Sequence, residues 1–296
     1  MESELFAWLL PTLLGILMVG LGLELRFKDL VRMLAKPKIV FIALMIQIVF
    51  LPFMAFLICI TMEFPPAHAI GMMLLAASPS GATSSLFSYV FHGDTRLNIS
   101  LTTLNSVMAI FTLPFVVNIS LMYFSDTQPI ASFSLSQIFL VFMITLVPIC
   151  FGLLLRRWLP SLADLLSRPL RIFGLIFLVM IFALTFIYEQ QRLHSHFQSI
   201  GIATALFCFC SLFSGYVLPH LAKVPERQAR ACAFEIGIHN TSITMIIAIS
   251  VLGDTQYALP AAIYTLFMYT FALSFGLILS RHAKRLILGQ TPSHQD

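Results

Sequence analysis

Long apolar segments separated by short polar ones run through the whole chain and predict nine transmembrane helices. Each apolar run approaches the ~20 residues that an α-helix needs to cross a bilayer. The first run follows Met1-Glu2-Ser3-Glu4 and has neither the basic start nor the cleavage site of a signal peptide, so we expect a retained helix. The approximate limits of the nine are 5–24, 38–60, 68–91, 97–123, 134–155, 172–188, 198–220, 229–252 and 258–280.

The composition fits an all-α polytopic membrane protein. Of the 296 residues, 59% are hydrophobic and 10% are charged, against about 45–50% and about 25% in soluble domains. These values exclude a nucleic-acid-binding protein, a soluble enzyme and a disulfide-stapled secreted domain, and they make the lipid bilayer the expected surroundings. The five cysteines fall inside apolar runs without metal-ligand spacing, so we interpret them as packing residues.

The basic residues predict the orientation. With nine spans, all of the 17 lysines and arginines except Arg192 fall on one side of the membrane. Cytoplasmic loops carry such an excess. We therefore expect a multi-pass protein of the cell (inner) membrane, with its N-terminus outside and its C-terminus in the cytoplasm.

Two of the predicted spans carry polar residues at mid-depth. Span three contains the segment 78–85, SPSGATSS, in which Pro79 lacks the N–H of a helical hydrogen bond and Gly81 adds flexibility. Span eight contains the segment 235–242, EIGIHNTS. Glu235 is the only acid at the centre of any span, and no lysine or arginine lies at its depth. An unpaired charge there costs at least ~2.5–3.5 kcal/mol, so Glu235 implies a proton, a bound cation or a water-filled cavity.

The two interrupted spans occupy corresponding places in the chain. Each lies between two full spans, and equivalent spans are five apart, which predicts repeats that are inverted in the membrane. Paired interrupted segments of this kind point to the midplane site of a secondary transporter.

These segments resemble the bile acid:sodium symporter family. The resemblance rests on the segment 78–85, Gly93-Asp94, the polar run 98–102 and the segment 235–240, and it extends over essentially the whole chain. It implies an inverted-repeat fold with two discontinuous, crossed helices and without the first helix of ten-helix members. It also implies a core subdomain at about 38–123 and 198–283 and a panel subdomain at about 5–37 and 134–190.

The resemblance further implies one or two sodium sites behind the helix crossing. Carboxylate, hydroxyl, amide and carbonyl oxygens suit a hard cation such as sodium. The residues implied for the first site are Ser84, Ser85, Asn98, Thr102 and Glu235. Those implied for the second are Gln47, Glu235, His239 and the carbonyl groups of Ile236 and Ile238.

His239 departs from the family pattern, which has glutamine at this position. An imidazole offers no oxygen and prefers softer metals. Three alternatives follow: the second site is lost or weakened, water replaces the missing oxygen, or a Glu235–His239 pair carries protons.

The resemblance implies an organic anion as substrate, from bile salts to small acids such as 2-oxo acids, and we favour a small carboxylate. Because no lysine or arginine lies at mid-depth, half-helix N-termini and neutral donors would have to bind it, and Thr83, Asn240 and Thr241 are the candidates. The leading hypothesis is a sodium-coupled symporter that works by alternating access. The alternative is a proton-coupled or efflux carrier of organic acids on the same fold. An enzyme is not expected, because the chain has no Gly-x-Ser-x-Gly elbow, intramembrane aspartate pair or zinc constellation.

Overall fold

The computed structural model describes residues 35–81, 83–124, 150–166 and 190–288, together with isolated helical positions between 15 and 31, at 147–148 and between 169 and 176. The predicted spans 5–24, 134–155 and 172–188, and with them most of the predicted panel subdomain, lie largely outside these residues.

Helices form nearly all of this part of the chain, as the hydropathy pattern predicts. A π-helical turn occupies Ile46–Phe50, and a 3₁₀ turn occupies Thr255–Ala258. Helical residues also occupy 150–158 and 160–166. The named helices are α1 Pro37–Met45, α2 Leu51–Thr61, α3 Pro66–Ala77, α4 Thr83–Val90, α5 Thr95–Phe124, α6 Gln190–Leu221, α7 Glu226–Gly237, α8 Thr241–Ser250 and α9 Leu259–Leu288.

Within the described residues, three continuous helical segments are long and apolar enough to cross a membrane: Pro37–Thr61, Ile200–Leu221 and Thr255–Ser280. A fourth is α5, whose halves 95–109 and 111–124 meet at 51°. Pro114 explains this bend, because a proline removes the hydrogen bond to the carbonyl group four residues earlier and its ring pushes that turn open.

The outward faces of these helices are apolar. Phe41, Phe115 and Ile278 are more than 60% exposed, and many other large hydrophobic side chains on α1, α2, α5, α6 and α9 are also exposed. Apolar surface on this scale is stable when lipid covers it, which fits an integral membrane protein.

The two polar interruptions are breaks between half-helices. Ser78 ends α3 with extended backbone (φ −68°, ψ 142°), the conformation that a following proline favours. Ile238 ends α7 in a similar extended conformation (φ −114°, ψ 92°). Asn240 then starts α8 as its N-cap, where its side-chain oxygen accepts a hydrogen bond from the N–H of Ile243.

The breaks cross and pair with each other. The N–H of Gly81 donates to the carbonyl of Ile238 (3.3 Å), and the N–H of Asn240 donates to the carbonyl of Pro79 (2.8 Å). Ser80 and His239 thereby form an isolated antiparallel bridge. The crossing satisfies backbone groups that lipid could not, and it brings four half-helix ends to one point.

Small residues let α7 approach α6 closely. A Cβ atom on Gly237 would overlap the side chain of Leu212, and one on Gly215 would lie 3.0 Å from the Cα atom of Ala233. Close packing of this kind is typical of membrane helices. It fixes the end of α7 that carries Glu235.

Candidate functional site

Glu235 is fully buried near the end of α7 and accepts three hydrogen bonds. Its Oε2 atom accepts from the hydroxyl groups of Thr102 (2.6 Å) and Ser84 (3.1 Å). Its Oε1 atom accepts from the amide of Asn105 (3.0 Å). Among the side chains that the structure describes, no basic group forms an ion pair with this carboxylate. Neutral donors, among them side chains of α4 and α5, therefore stabilise Glu235 in this structure.

More oxygen atoms surround these donors. The Ser80 hydroxyl lies 3.1 Å from that of Ser84 and 3.4 Å from that of Thr102. The Ser84 hydroxyl also bonds the side-chain oxygen of Asn98 (3.1 Å), whose amide donates to the carbonyl of Ala231 (2.9 Å). We call this group the Glu235 cluster; its members are Ser80, Ser84, Asn98, Thr102, Asn105 and Glu235. Its carboxylate, hydroxyl and amide oxygens are the ligand types of a hard cation.

The structure brings together four of the five residues that the sequence predicts for the first sodium site: Ser84, Asn98, Thr102 and Glu235. The fifth, Ser85, follows Ser84 in α4 and is half-buried. The hydrogen bonds described above involve the side chain of Ser84.

Two members of the cluster were not among the predicted site residues. Asn105 lies three residues after Thr102 and seven after Asn98, so the three share one face of α5, and that spacing could have revealed it. Ser80 stands in the break itself, where helical spacing gives no guide, and only the crossing shows that its hydroxyl faces the cluster.

Three of the residues predicted for the second sodium site alone take part in protein hydrogen bonds: Gln47, His239 and Ile238. Gln47, in the π-helical turn, donates through Nε2 to the carbonyl groups of Ala76 (3.3 Å) and Ser78 (3.2 Å). The Nδ1 atom of His239 lies 3.3 Å from the same Ser78 carbonyl. The carbonyl of Ile238 accepts the Gly81 N–H across the crossing. Ile236 is buried beside Glu235 in α7.

The three residues predicted to bind the substrate lie at half-helix N-termini. Thr83 starts α4, and Asn240 and Thr241 lie at the start of α8. A Cβ atom on Gly81 would lie 3.6 Å from the Thr83 hydroxyl and 3.9 Å from the Cα atom of Asn240, so the two N-termini are close to each other. Thr241 is buried, and Thr83 and Asn240 are half-buried. The positive dipole ends of both half-helices therefore converge at the crossing.

A polar turn at one end of the helices keeps α5 and α7 in register. Asp94 caps α5 by accepting the N–H of Leu97 (3.1 Å), and its own N–H donates to the carbonyl of Arg227 (2.8 Å). Lys36 forms an ion pair with its carboxylate (2.8 Å). Partial burial by itself raises the pKa of Asp94, but the hydrogen bonds from Lys36 and Leu97 and the nearby positive charges outweigh it, so the pKa lies below its usual value of 3.8.

The described helices and their exposed apolar faces are those of an integral membrane protein. The sequence model of the Sodium Bile acid symporter family matches residues 11–196, and the chain belongs to this family. This finding confirms the resemblance stated above. The family is one of membrane transporters, and two of the relatives are named as sodium/metabolite and sodium/bile acid cotransporters rather than as enzymes.

The relatives include bacterial, plant and animal proteins. The chain is 22% identical to "Uncharacterized sodium-dependent transporter YocS" of Bacillus subtilis over 98% of this chain and 90% of that one. It is 23% identical to the human "Ileal sodium/bile acid cotransporter" over 92% of this chain and 79% of that one. It is also 23% identical to "Probable sodium/metabolite cotransporter BASS1, chloroplastic" of Arabidopsis thaliana over 89% of this chain, and the match spans 65% of the plant protein's length.

Proposed function

We propose that this protein is a secondary active transporter that couples the entry of sodium to the symport of a small organic anion by alternating access. The observation that carries the proposal is the Glu235 cluster. A fully buried carboxylate lies among hydroxyl and amide groups at the crossing of two broken helices, without a basic partner among the described side chains.

Sodium binding at this cluster would balance the charge of Glu235. Ser84, Asn98 and Thr102 would supply neutral oxygens, and Ser85 would join them as a further ligand from α4. These groups come from α4, α5 and α7, three different elements. An ion that binds all of them would hold the elements together, so the loaded and empty proteins would differ in conformation, as coupling requires.

The substrate would bind at the converging N-termini of α4 and α8. Free N–H groups and the positive dipole ends suit a carboxylate, and Thr83, Asn240 and Thr241 add neutral donors. Sodium on one side of the crossing and the anion on the other would then stabilise the same arrangement of half-helices. The relatives' names, which mention bile acid and metabolites, agree with an organic anion. We favour a small carboxylate such as a 2-oxo acid.

The transport cycle would divide the molecule into two parts. The core subdomain, about 38–123 and 198–283, carries the crossing, and the panel subdomain, about 5–37 and 134–190, would rock against it. In this proposal nine transmembrane helices form an inverted repeat in the inner membrane, with the N-terminus outside and the C-terminus in the cytoplasm.

Uptake by proteoliposomes tests the proposal. We expect an inward sodium gradient to drive uptake of at least one of a panel of small carboxylates and bile salts. Glu235→Gln should abolish this uptake because the amide cannot balance the cation's charge. The control is Thr103→Val, since Thr103 bonds only the carbonyl of Ile99 (3.0 Å), and this variant should transport normally. Uptake that follows a pH gradient and ignores sodium would contradict the proposal and support the proton-coupled alternative.

A further inference from the structure

We propose that this protein binds one sodium ion per transport cycle, at the Glu235 cluster, and that His239 and Gln47 close the neighbouring position to a second ion. This inference rests on the proposed function and specifies its stoichiometry. It chooses the first of the three alternatives that the sequence leaves open, namely that the second site is lost.

The carbonyl groups at the end of α3 already have neutral donors. A half-helix C-terminus is the negative end of the helix dipole and attracts a cation. Here the Ser78 carbonyl accepts from Gln47 Nε2 (3.2 Å) and lies 3.3 Å from His239 Nδ1, and the Ala76 carbonyl accepts from Gln47 (3.3 Å). Because a carbonyl oxygen only accepts, the proton of the imidazole lies on Nδ1. Two N–H donors therefore take the place of a cation.

Two carbonyl groups at the end of α7 also accept hydrogen bonds. The Gly237 carbonyl accepts from the Tyr264 hydroxyl (2.9 Å), and the Ile238 carbonyl accepts from the Gly81 N–H (3.3 Å). A cation at this position would have to share the Ile238 oxygen with the Gly81 N–H, whose partial positive charge opposes it. The Glu235 cluster differs, because it combines a carboxylate with hydroxyl groups that can turn an oxygen toward an ion.

The imidazole of His239 is held by two aromatic rings. Phe207 stacks on it at 5.6 Å and 20°, and Tyr264 contacts it edge-on at 5.5 Å and 64°. All three side chains are at most 2% exposed. The ring therefore keeps Nδ1 on Ser78 and leaves only Nε2, a nitrogen ligand that suits softer metals than sodium.

A small cavity lies beside Gln47, and its lining is poor in ligands for a sodium ion. It lies between the π-helical turn, the first break and α5, with a volume of about 10 Å³. The buried Gln47 Oε1 and Asn105 Oδ1 atoms belong to residues that line it, and neither atom has a hydrogen-bond partner. Besides these two atoms, the lining offers the Thr112 hydroxyl but no carboxylate. Hard cations such as Mg²⁺ and Ca²⁺ take roughly six oxygens, whereas the volume suits one water molecule.

Counting bound ions tests this inference. Purified wild-type protein should bind one radioactive sodium ion per chain at saturation, and His239→Gln, which adds an amide oxygen where the imidazole was, should bind two. Sodium-dependent uptake should correspondingly show a Hill coefficient of about one in the wild type, rising towards two in the variant. Two sodium ions per wild-type chain, or one ion in both proteins, would overturn the inference.

A second variant keeps the test decisive if His239→Gln does not fold. Gln47→Met removes the amide at similar length, and a one-ion protein should keep one bound ion with an affinity within about threefold of the wild type. A large loss of sodium binding in Gln47→Met would contradict the inference. The proposed function fails in a different way: if the wild type binds no sodium, or if Glu235→Gln binds it normally, the coupling claim is wrong whatever the stoichiometry.

Discussion

A buried carboxylate in a membrane helix is stable only when its charge is balanced or its oxygens accept hydrogen bonds. Glu235 accepts three, and the shortest comes from Thr102 at 2.6 Å. The same hydroxyl bonds the Asn98 carbonyl (3.0 Å), so one turn of α5 orients it. Thr102 is therefore the neutral residue whose loss should disturb the cluster most.

Thr102→Val should weaken sodium binding while leaving the protein folded. Valine has the shape of threonine but offers no oxygen to the ion. A hydrogen bond to a charged group contributes about 1.5–3 kcal/mol, so the sodium concentration for half-maximal uptake should rise about tenfold or more. The measurement is the sodium dependence of uptake in proteoliposomes.

The matched control is Thr103→Val, on a different face of the same helix. Its hydroxyl bonds the Ile99 carbonyl, so the sodium dependence should stay within about twofold of the wild type. Equal effects of the two substitutions would contradict a specific role for Thr102.

Sequence reasoning finds the charged centre of the site but not all of its neighbours. Depth in the membrane identifies Glu235, and helical spacing places Asn98 and Thr102 on one face. The direction of each donor could not be predicted, because it depends on how the breaks cross. The Ser80 hydroxyl, which meets that of Thr102 in α5, and the Nδ1 atom of His239, which meets the carbonyl of Ser78, are examples.

At the scale of the elements, the two breaks contribute more to the geometry of the site than the continuous helices do. In the first interrupted span, α3 ends before Ser78 because Pro79 cannot continue the helix. The second break has no proline: α7 ends at Gly237, and Asn240 then caps α8. Both breaks then pair through backbone hydrogen bonds. The crossing is therefore a rigid frame for side chains from four half-helices.

Close backbone contact holds α3, the first of these half-helices, in position. Gly71 of α3 faces the 3₁₀ turn before α9, and a Cβ atom at this position would overlap the carbonyl oxygen of Tyr257. Gly71→Ala should destabilise the protein by about 1–3 kcal/mol, the usual cost of overpacking, and lower its melting temperature in detergent by several degrees.

Gly81→Ala is the control for this effect. Its Cβ atom would meet nothing closer than 3.6 Å, so the melting temperature should change little although Gly81 lies in the crossing. A fall of the same size in both variants would show that the approach of α3 to Tyr257 is not the cause.

The positions of the described helices follow from hydropathy, whereas their irregularities do not. The predicted span 38–60 coincides with Pro37–Thr61, and 97–123 with Thr95–Phe124. Helix α6 begins at Gln190, eight residues before the predicted 198, because its first turns are polar and leave no hydropathy signal. The π-helical turn around Gln47 arises from packing and has no local sequence signature.

At the scale of the whole molecule, a charged turn at one end of the helices joins segments that are far apart in the chain. Asp94 contacts Lys36 before α1, caps α5 and bonds the backbone of Arg227 in α7. Arg230 of α7 also connects distant segments: it donates hydrogen bonds to Glu226 and to the carbonyl groups of Phe91 and Leu279. These contacts fix the helix ends without entering the site.

Asp94 should make stability depend on pH in the acidic range. Because its pKa is lower in the folded protein than its usual 3.8, its contribution is fully present above about pH 4 and is lost as the pH falls through the folded value. The Lys36 partner is 39% exposed, so the ion pair contributes little, about 0.5 kcal/mol.

Two substitutions separate the charge of Asp94 from its capping role. Asp94→Asn keeps the cap and should remove the acid-dependent part of the stability, and Asp94→Ala should lose about 1 kcal/mol more because the cap is gone as well. The measurement is the melting temperature in detergent between pH 3 and pH 7. An unchanged acid profile in Asp94→Asn would contradict the assignment.

The most direct test of the account is the thermal stability of the purified protein as a function of sodium. A ligand that binds only the folded state raises the stability by about 2.7 kcal/mol at 100 times its dissociation constant, which corresponds to roughly 5–10 °C for a chain of this size. We predict such a rise with sodium but not with equal concentrations of potassium or choline, and its loss in Glu235→Gln. Equal stabilisation by all three cations, or a sodium response that persists in Glu235→Gln, would contradict the claim that Glu235 binds the coupling ion.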